Sequence, residues 1–321
     1  MKCEFNKCLL LLGWLTLLAT ACEKEFEIRS TAKSGCLYVE CFPSNDTDTT
    51  FVRISGTAPI SKKAVAKSLE GLTVKLETGG HEAVLDIFSA TERSVVLYSL
   101  AHLSVGDELN LEADANNYPR VTSSSSVPKP PVFGMDRNGN VFRFSFDRSK
   151  DGKKRYYGIK ASCLVTITQT SASTGELISY DESTIEAPLN VAEESIPEND
   201  DIFGYETIVT ATVNGSEMIV FEDEGADADK FELTVIPEFP SDRQSQWGGV
   251  VTTRKCYVRF SVYSVTKEAY EYLNPRVDYS LISLGLVSPF ISFGNIKDGY
   301  GILSAMGRYD TDLLPNEDYI P

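Results

Sequence analysis

The chain has 321 residues, a formal net charge of −16 and 42% hydrophobic residues. This length is enough for two domains, each with its own core. The acidic balance excludes binding that depends on phosphate contacts, whether to nucleic acids or to anionic lipid headgroups, because such contacts need clusters of Lys and Arg.

Residues 1–21 have the pattern of a bacterial lipoprotein signal peptide. Lys2 and Lys7 precede a short apolar run (residues 8–18), and three small residues then lead to Cys22. The run is too short to span a bilayer as a helix of the mature protein. We therefore expect cleavage before Cys22 and attachment of acyl chains, palmitate among them, to that residue. An ordinary secretory signal, with no lipid on Cys22, is the alternative.

Residues 22–30 are interpreted as an acidic tether. Glu23, Lys24 and Glu25 follow the cysteine directly, and acidic residues in this place resemble the surface-export signal of Bacteroidetes lipoproteins. That resemblance favours a protein that faces the cell exterior. A solvated linker without an export role is the alternative.

Residues 31–126 are predicted to form an N-terminal β-sandwich. Short runs alternate between apolar and polar residues, as expected for strands with one buried face. These runs lie at residues 72–77, 83–88, 94–98 and 108–113. Glycine-containing turns separate them, notably Gly79-Gly80, which predicts a hairpin.

Residues 127–131 are predicted to be a Pro-rich linker. Four serines, Ser123–Ser126, precede the segment, and Pro128, Pro130 and Pro131 lie within it. Proline cannot donate to a β-ladder and stiffens the chain, so this segment is the expected boundary between two domains.

Residues 132–321 are predicted to form a C-terminal β-sandwich. Asn138-Gly139 and Asn214-Gly215 separate β-rich runs and predict tight hairpins, in which both turn residues have positive φ. Residues 141–146 place three phenylalanines on one strand face, and residues 193–201 are expected to form an acidic loop. Together the two halves predict an all-β fold of immunoglobulin/fibronectin-like sandwiches.

One short helix is expected in the second domain, at about residues 265–273. Ser264 or Thr266 can cap its start, and Pro275 follows its end. Tyr270 and Leu273 lie three residues apart, so both side chains should pack on a sheet.

Four cysteines remain after the leader and Cys22 are set aside. Cys36 and Cys41 lie five residues apart on one predicted strand and should face opposite sides. Cys163 and Cys256 are the candidate disulfide, which would stabilise the fold by about 4 kcal/mol in a chain-entropy model. The alternative is that all four are buried thiols.

Few residues suggest chemistry. His81 and His102 lack the spacing of a metal site, and no GxSxG or nucleotide motif occurs. Ser30–Lys33 fits an SxxK motif but lies in the tether, where no pocket could lower the lysine pKa, so we expect no enzyme and no cofactor. A weak calcium candidate comprises Asp223, Asp227 and Asp229, for which a solvated acidic loop is the alternative.

Trp247 and Phe203 are the candidate contacts for a ligand or a partner. Trp247 precedes two glycines and could stack on a sugar or insert into another protein. The alternative for Trp247 is that it covers the core of the second domain.

The order of several short motifs along the mature chain identifies a resemblance. These motifs are Cys22–Glu25, Leu37–Glu40, Gly71–Leu76, Gly106–Leu111, Tyr118, Pro128–Pro131, Tyr156-Tyr157, Tyr270–Tyr272 and Asn295–Leu303. The sequence resembles the Bacteroidetes outer-membrane lipoproteins grouped as domain of unknown function 4249. The resemblance implies a surface-exposed lipoprotein found beside TonB-dependent transporters, and it transfers no functional residue. In the last motif, Asp298-Gly299 suits a turn and Gly301 suits a close approach between backbones.

The functional hypothesis is a non-enzymatic accessory or recognition module, lipid-anchored in the outer membrane and facing the exterior. An outer-membrane β-barrel transporter is the expected partner, and nucleic acid is not. Two alternatives stay open, a glycan- or nutrient-binding lipoprotein and a structural or anchor subunit of a surface fibre.

Overall fold

The computed structural model describes most of the chain after residue 34. The described residues are 35–45, 49–58, 65–147, 153–192, 195, 208–223, 230–274 and 294–316. Predictions for residues 1–30 and for the acidic loop at residues 193–201, apart from residue 195, fall outside them. Among the described residues, no helix is long and apolar enough to cross a bilayer.

The described chain is built almost entirely of strands, which confirms the all-β prediction. In chain order they are β1 (Leu37–Cys41), β2 (Thr50–Gly56), β3 (Thr73–Thr78), β4 (His81–Glu82), β5 (Asp86–Ala90), β6 (Ser94–Ser99), β7 (Glu108–Ala115), β8 (Tyr118–Ser126), β9 (Phe133–Asn138), β10 (Val141–Asp147), β11 (Tyr156–Ser171), β12 (Leu177–Glu186), β13 (Leu189–Val191), β14 (Ile208–Val213), β15 (Ser216–Glu222), β16 (Lys230–Pro237), β17 (Arg243–Trp247), β18 (Val250–Val265), β19 (Tyr300–Leu303), β20 (Gly307–Asp310) and β21 (Leu314–Pro315). One helix, α1 (Lys267–Leu273), follows β18.

Two sheets enclose the first core. Their strand orders are β19-β1-β2-β6-β5 and β4-β3-β7-β8. On β7, Leu109, Leu111 and Ala113 are buried while the residues between them face outward. They pack in one cluster with Val39 and Ile54 of the other sheet. The alternation seen in the sequence thus produces a sandwich-like pair of sheets.

Two other sheets enclose a second core, rich in phenylalanine. Their orders are β13-β16-β10-β9 and β14-β15-β11-β18-β17. In the second of these, β12 also pairs with β11, and β20 and β21 also pair with β18. Phe142, Phe144 and Phe146 lie on one face of β10 and are fully buried. Phe260 contacts two of them, with ring centroids 4.7 and 5.1 Å apart. This arrangement is also sandwich-like, whereas the immunoglobulin/fibronectin-like topology stays a prediction.

Helix α1 begins and packs as predicted. Thr266 is its N-cap, and the Thr266 hydroxyl accepts a hydrogen bond from the Ala269 N–H at 3.2 Å. Tyr270 is buried and Leu273 packs against the same cluster. The helix therefore covers the outer face of the large sheet, as the three-residue spacing of Tyr270 and Leu273 indicates.

The chain returns to the first sheet near its end. β19 pairs in parallel with β1 between Tyr38↔Tyr300 and Cys41↔Leu303. Asp298 and Gly301 both have positive φ, and a Cβ on Gly301 would lie 1.9 Å from the Val39 carbonyl oxygen. The predicted turn and close approach are therefore confirmed. The assigned domain and linker spans stay a prediction, because sheet pairing does not define independent folding units.

The two Asn-Gly pairs behave differently. Asn214 and Gly215 both have positive φ and join β14 to β15 in a two-residue turn, as predicted. At the other site Asn138 pairs with Val141, so Asn138 ends β9 and the turn consists of Gly139 and Asn140. Only Gly139 of that turn has positive φ.

The predicted hairpin at Gly79-Gly80 is wrong beyond its first residues. β4 pairs with β3 at only two positions, and the chain then crosses to the other sheet, where β5 pairs with β6. Turn chemistry specifies the local reversal, but it does not specify which sheet receives the next strand. Ser123–Ser126 form the end of β8, which is an edge strand of its sheet.

Candidate functional site

Several predicted site residues lie outside the described residues. These are the lipidation residue Cys22, the export signal Glu23, Lys24 and Glu25, the contact residue Phe203, and the calcium candidates Asp227 and Asp229. Their roles stay predictions.

Asp223 is the one calcium candidate within the described residues. It is buried, and its Oδ1 accepts a hydrogen bond from the Arg155 N–H at 2.8 Å. In the described part of the chain, no group of three or more His, Cys, Asp or Glu side chains could hold a metal ion. Asp223 therefore has a local role in joining two backbone segments.

The four cysteines of the folded region are free thiols. Cys41 ends β1 and is buried, whereas Cys36 precedes the strand and is partly exposed. Cys163 and Cys256 lie diagonally across β11 and β18, since Cys163 faces Val258 and Cys256 faces Val165. Burial raises the pKa of the Cys163 thiol to about 12, and it also raises that of Cys256. Both are therefore protonated at neutral pH, and their oxidation to a disulfide stays a prediction.

The most conspicuous feature of the surface is a β-arm. β11 and β18 pair continuously over their full length, from Tyr156↔Val265 to Ser171↔Val250. Only the first half of β11 and the second half of β18, which pair with each other, cover a core. β12 and β17 flank the remainder, and every residue of these two strands is exposed. We call this extension, residues 166–186 and 243–255, the arm.

The arm ends in two hairpin turns that contact each other. The Ala172 N–H donates to the Gly249 carbonyl at 2.8 Å. Gly248 and Gly249 have positive φ, and nothing lies within 4 Å of a Cβ built on either residue. Trp247 directly precedes this turn and is 89% exposed. The alternative that Trp247 covers the core is therefore wrong.

Other large apolar side chains accompany Trp247 on the arm. Leu177 is 63% exposed, Tyr180 56% and Ile178 54%, all on β12. Single exposed apolar residues are common on proteins, but a group of them on one projection is typical of a contact surface. Sequence reasoning missed the three β12 residues because no buried face marks this strand.

The two edges of the arm differ in charge. β12 carries Asp181, Glu182 and Glu186, whereas Arg243 is the one charged residue of β17. Exposed charges on an edge strand oppose the addition of another strand. The β17 edge, with Trp247 at its end, is therefore the better template for strand addition.

Comparison with known proteins adds a family and little else. A family model described as domain of unknown function (DUF4249) matches residues 23–311. No curated protein matches the chain. Among solved structures, the Yersinia pseudotuberculosis adhesin InvE is similar at 9% identity and a TM-score of 0.20, over 70% of this chain and 55% of the adhesin chain. The chain thus spans about half of the adhesin's length, and a TM-score of this size carries no argument about fold or function.

Proposed function

From the premise that this chain belongs to the family of domain of unknown function DUF4249, we propose that it is an outer-membrane lipoprotein. In this proposal it is a recognition module that contacts a partner through the arm. Binding, and not catalysis, is its activity.

The sequence before residue 35 supports the membrane location. A short apolar run follows two lysines and ends at small residues before Cys22, which is the order of a lipoprotein signal. The acidic residues after Cys22 favour the outward-facing leaflet of a Bacteroidetes-type envelope. The net charge of −16 would not hold the protein at an anionic lipid surface, so the acyl chains must do so.

The observation that carries the recognition proposal is the exposure of Trp247 at the end of the arm. Transfer of a large apolar side chain from water into a partner contributes about 1.5–3 kcal/mol. Trp247, Leu177 and Tyr180 offer this gain without a change in the fold, since all three are already exposed. Aromatic anchors of this kind dominate the energy of many interfaces.

A membrane β-barrel suits the arm as a partner. The β17 edge can accept an added strand, and backbone hydrogen bonds then give affinity while neighbouring side chains give specificity. A protein anchored beside the barrel meets it at high effective concentration, so a contact of modest size would suffice. A TonB-dependent transporter is the partner that we propose.

A pull-down from detergent-solubilised membranes tests this function. The tagged full chain should recover one dominant β-barrel protein, and Trp247→Ala should reduce that recovery at least tenfold. Val132→Ala, which alters an apolar side chain that is 85% exposed but lies away from the arm, is the matched control and should recover as much as the wild type. Recovery of no partner, or equal loss in both variants, would contradict the proposal.

One observation favours glycan binding as a second candidate. The two glycines after Trp247 leave open space around their Cα atoms, so a sugar ring could stack on the indole without steric hindrance. A glycan array with the intact protein should then show binding that Trp247→Ala abolishes. An array without signal would leave protein recognition as the sole use of Trp247.

A further inference from the structure

A small cavity lies on the outer face of the large sheet, at the base of the arm. Its volume is about 280 Å³, and its polar lining comes from strands that the chain brings together from distant positions. The residues that define it are Lys160, Ser162, Glu186, Ser216, Ser261 and Arg308. We call it the Lys160 pocket.

Lys160 occupies its position because of strand alternation. Its neighbours Ile159 and Ala161 enter the phenylalanine-rich core, so the Lys160 side chain projects from the opposite face of β11. The Lys160 ammonium donates a hydrogen bond to the Val213 carbonyl at 2.8 Å. An ammonium has three donors. Within the described residues, none of the ion pairs includes Lys160.

The surroundings of Lys160 disfavour its charge. Burial lowers the pKa of this amine to about 8, the Glu186 carboxylate opposes the shift, and the Arg308 guanidinium adds to it. A partly buried cation that forms no ion pair has lost solvation that it has not regained elsewhere. An anion in the cavity would supply the missing interaction.

Arg308 is a fixed wall of the cavity. Its Nε and Nη2 donate to the two carboxylate oxygens of Asp310 at 2.8 Å each, and Nη2 also donates to the Ser261 hydroxyl at 3.3 Å. The Arg308 backbone N–H donates to the Asn45 Oδ1 at 2.6 Å. Asp310 therefore balances the charge of Arg308 and holds its orientation.

Glu186 is an exposed part of the lining. One of its carboxylate oxygens accepts from the Glu217 N–H at 2.6 Å. Among the described residues, the charged groups that line the cavity are therefore Lys160, which forms no ion pair, Arg308, which is paired with Asp310, and the exposed carboxylate of Glu186. Its remaining polar groups include the hydroxyls of Ser162, Ser216 and Ser261.

We propose that the Lys160 pocket binds a sugar acid, with the carboxylate of the sugar on the Lys160 ammonium. A single negative charge matches one ammonium, whereas the second charge of a phosphate dianion would increase the repulsion by Glu186 and Asp310 without a further cation to balance it. Serine hydroxyls and the Glu186 carboxylate are suited to the hydroxyl groups of a sugar. The volume suits one monosaccharide unit. The proposal does not depend on Trp247 or on a protein partner.

Nuclear magnetic resonance of the lysine amines tests the proposal in the full chain. After reductive ¹³C-methylation, the Lys160 signal is the one that Lys160→Arg removes, and its pKa should lie well below the usual value for a lysine. Glucuronate should shift it saturably and raise its pKa by about one unit, since a bound carboxylate favours the charged amine. Glucose should leave it unchanged. No saturable shift with glucuronate, or an equal shift with acetate at the same ionic strength, would overturn the assignment.

Calorimetry on unmethylated protein gives an independent result. Lys160→Met should weaken glucuronate binding at least tenfold. Lys255→Met is the matched control, because Lys255 lies exposed on the same face of the same sheet but outside the cavity, and its affinity should equal that of the wild type. Equal affinities for all three proteins would show that the carboxylate does not sit on Lys160.

Discussion

At the scale of single residues, Gly301 shows how one position fixes the path of the chain. It lies where β19 meets β1, with φ +100° and with the Val39 carbonyl oxygen in the space that a Cβ would take. Any other residue there must both adopt a left-handed backbone and displace a strand. The close contact, and not φ alone, makes glycine necessary.

Gly301→Ala is therefore expected to lower the free energy of unfolding by more than about 2 kcal/mol. Gly106→Ala is the matched control, because Gly106 has φ +91° but nothing within 4 Å of the position that its Cβ would take. The control should cost about 1 kcal/mol. Urea unfolding of both variants measures the difference. Equal losses in the free energy of unfolding would mean that backbone conformation alone, and not the close approach to Val39, makes glycine necessary at position 301.

Lys160 gives a prediction about pH. The pKa of its amine is lowered from 10.5 to about 8 in the folded chain, so between these values the unfolded chain binds the proton and the folded chain does not. The free energy of unfolding contributed by Lys160 therefore rises as the pH increases from about 8 to 10.5.

In Lys160→Met this rise should be absent. At pH 7 the variant should be more stable than the wild type by roughly 1–2 kcal/mol, after allowance for water contact and for the lost hydrogen bond to Val213. The difference should disappear near pH 10.5. Urea unfolding at neutral pH, near pH 9 and near pH 10.5 measures it, and a difference that is independent of pH would exclude a buried charge as its cause.

At the scale of elements, the predictable parts are those whose signals are local. Alternation predicts β7 and β10 because each has one buried face, and Asn214-Gly215 predicts its turn because both residues adopt positive φ. The arm could not be predicted in this way. Its strands bury neither face, so they have no period-two pattern, and their pairing depends on partners up to about 90 positions away in the chain, as between Thr166 and Lys255.

Helix α1 gives a test of a local signal. The Thr266 hydroxyl caps the helix and also contacts the Ser304 hydroxyl at 2.9 Å. Thr266→Ala should lower the free energy of unfolding by about 1–2 kcal/mol, as expected for loss of an N-cap. Thr253→Ala, on the arm, is the control and should change it by less than about 0.5 kcal/mol. Thermal or urea unfolding checks both, and an unchanged Thr266→Ala would mean that packing of Tyr270 alone positions the helix.

At the scale of the whole molecule, the two sandwich-like units are joined by contacts outside the predicted linker. β19 completes the first sheet, and the Tyr272 hydroxyl of the helix contacts the Tyr38 hydroxyl of β1. Asn214 donates to the Phe42 carbonyl at 3.0 Å across the same junction. These contacts join residues that lie far apart in the chain. Sequence reasoning could therefore identify the motif Asn295–Leu303 but not the sheet that it joins.

The two sandwich-like units are thus held together by several tertiary contacts, and the arm extends from them with the exposed Trp247 at its end. Sequence reasoning proposed Trp247 as a candidate contact residue because of its glycine neighbours. The structure shows that its side chain is exposed, and it adds the exposed β12 residues and the open β17 edge. The Lys160 pocket had no sequence signal, because its lining residues are spread between positions 160 and 308. Only the pairing of β11, β12, β15, β18 and β20 brings them together.

Site-specific photo-crosslinking in intact cells tests the central claim, that the arm is the surface by which the anchored protein recognises its partner. A photoreactive phenylalanine analogue in place of Trp247 should give one dominant adduct with an outer-membrane β-barrel protein, and the same analogue in place of Val132 should give none. No adduct at Trp247, or the same adducts at both positions, would contradict the account.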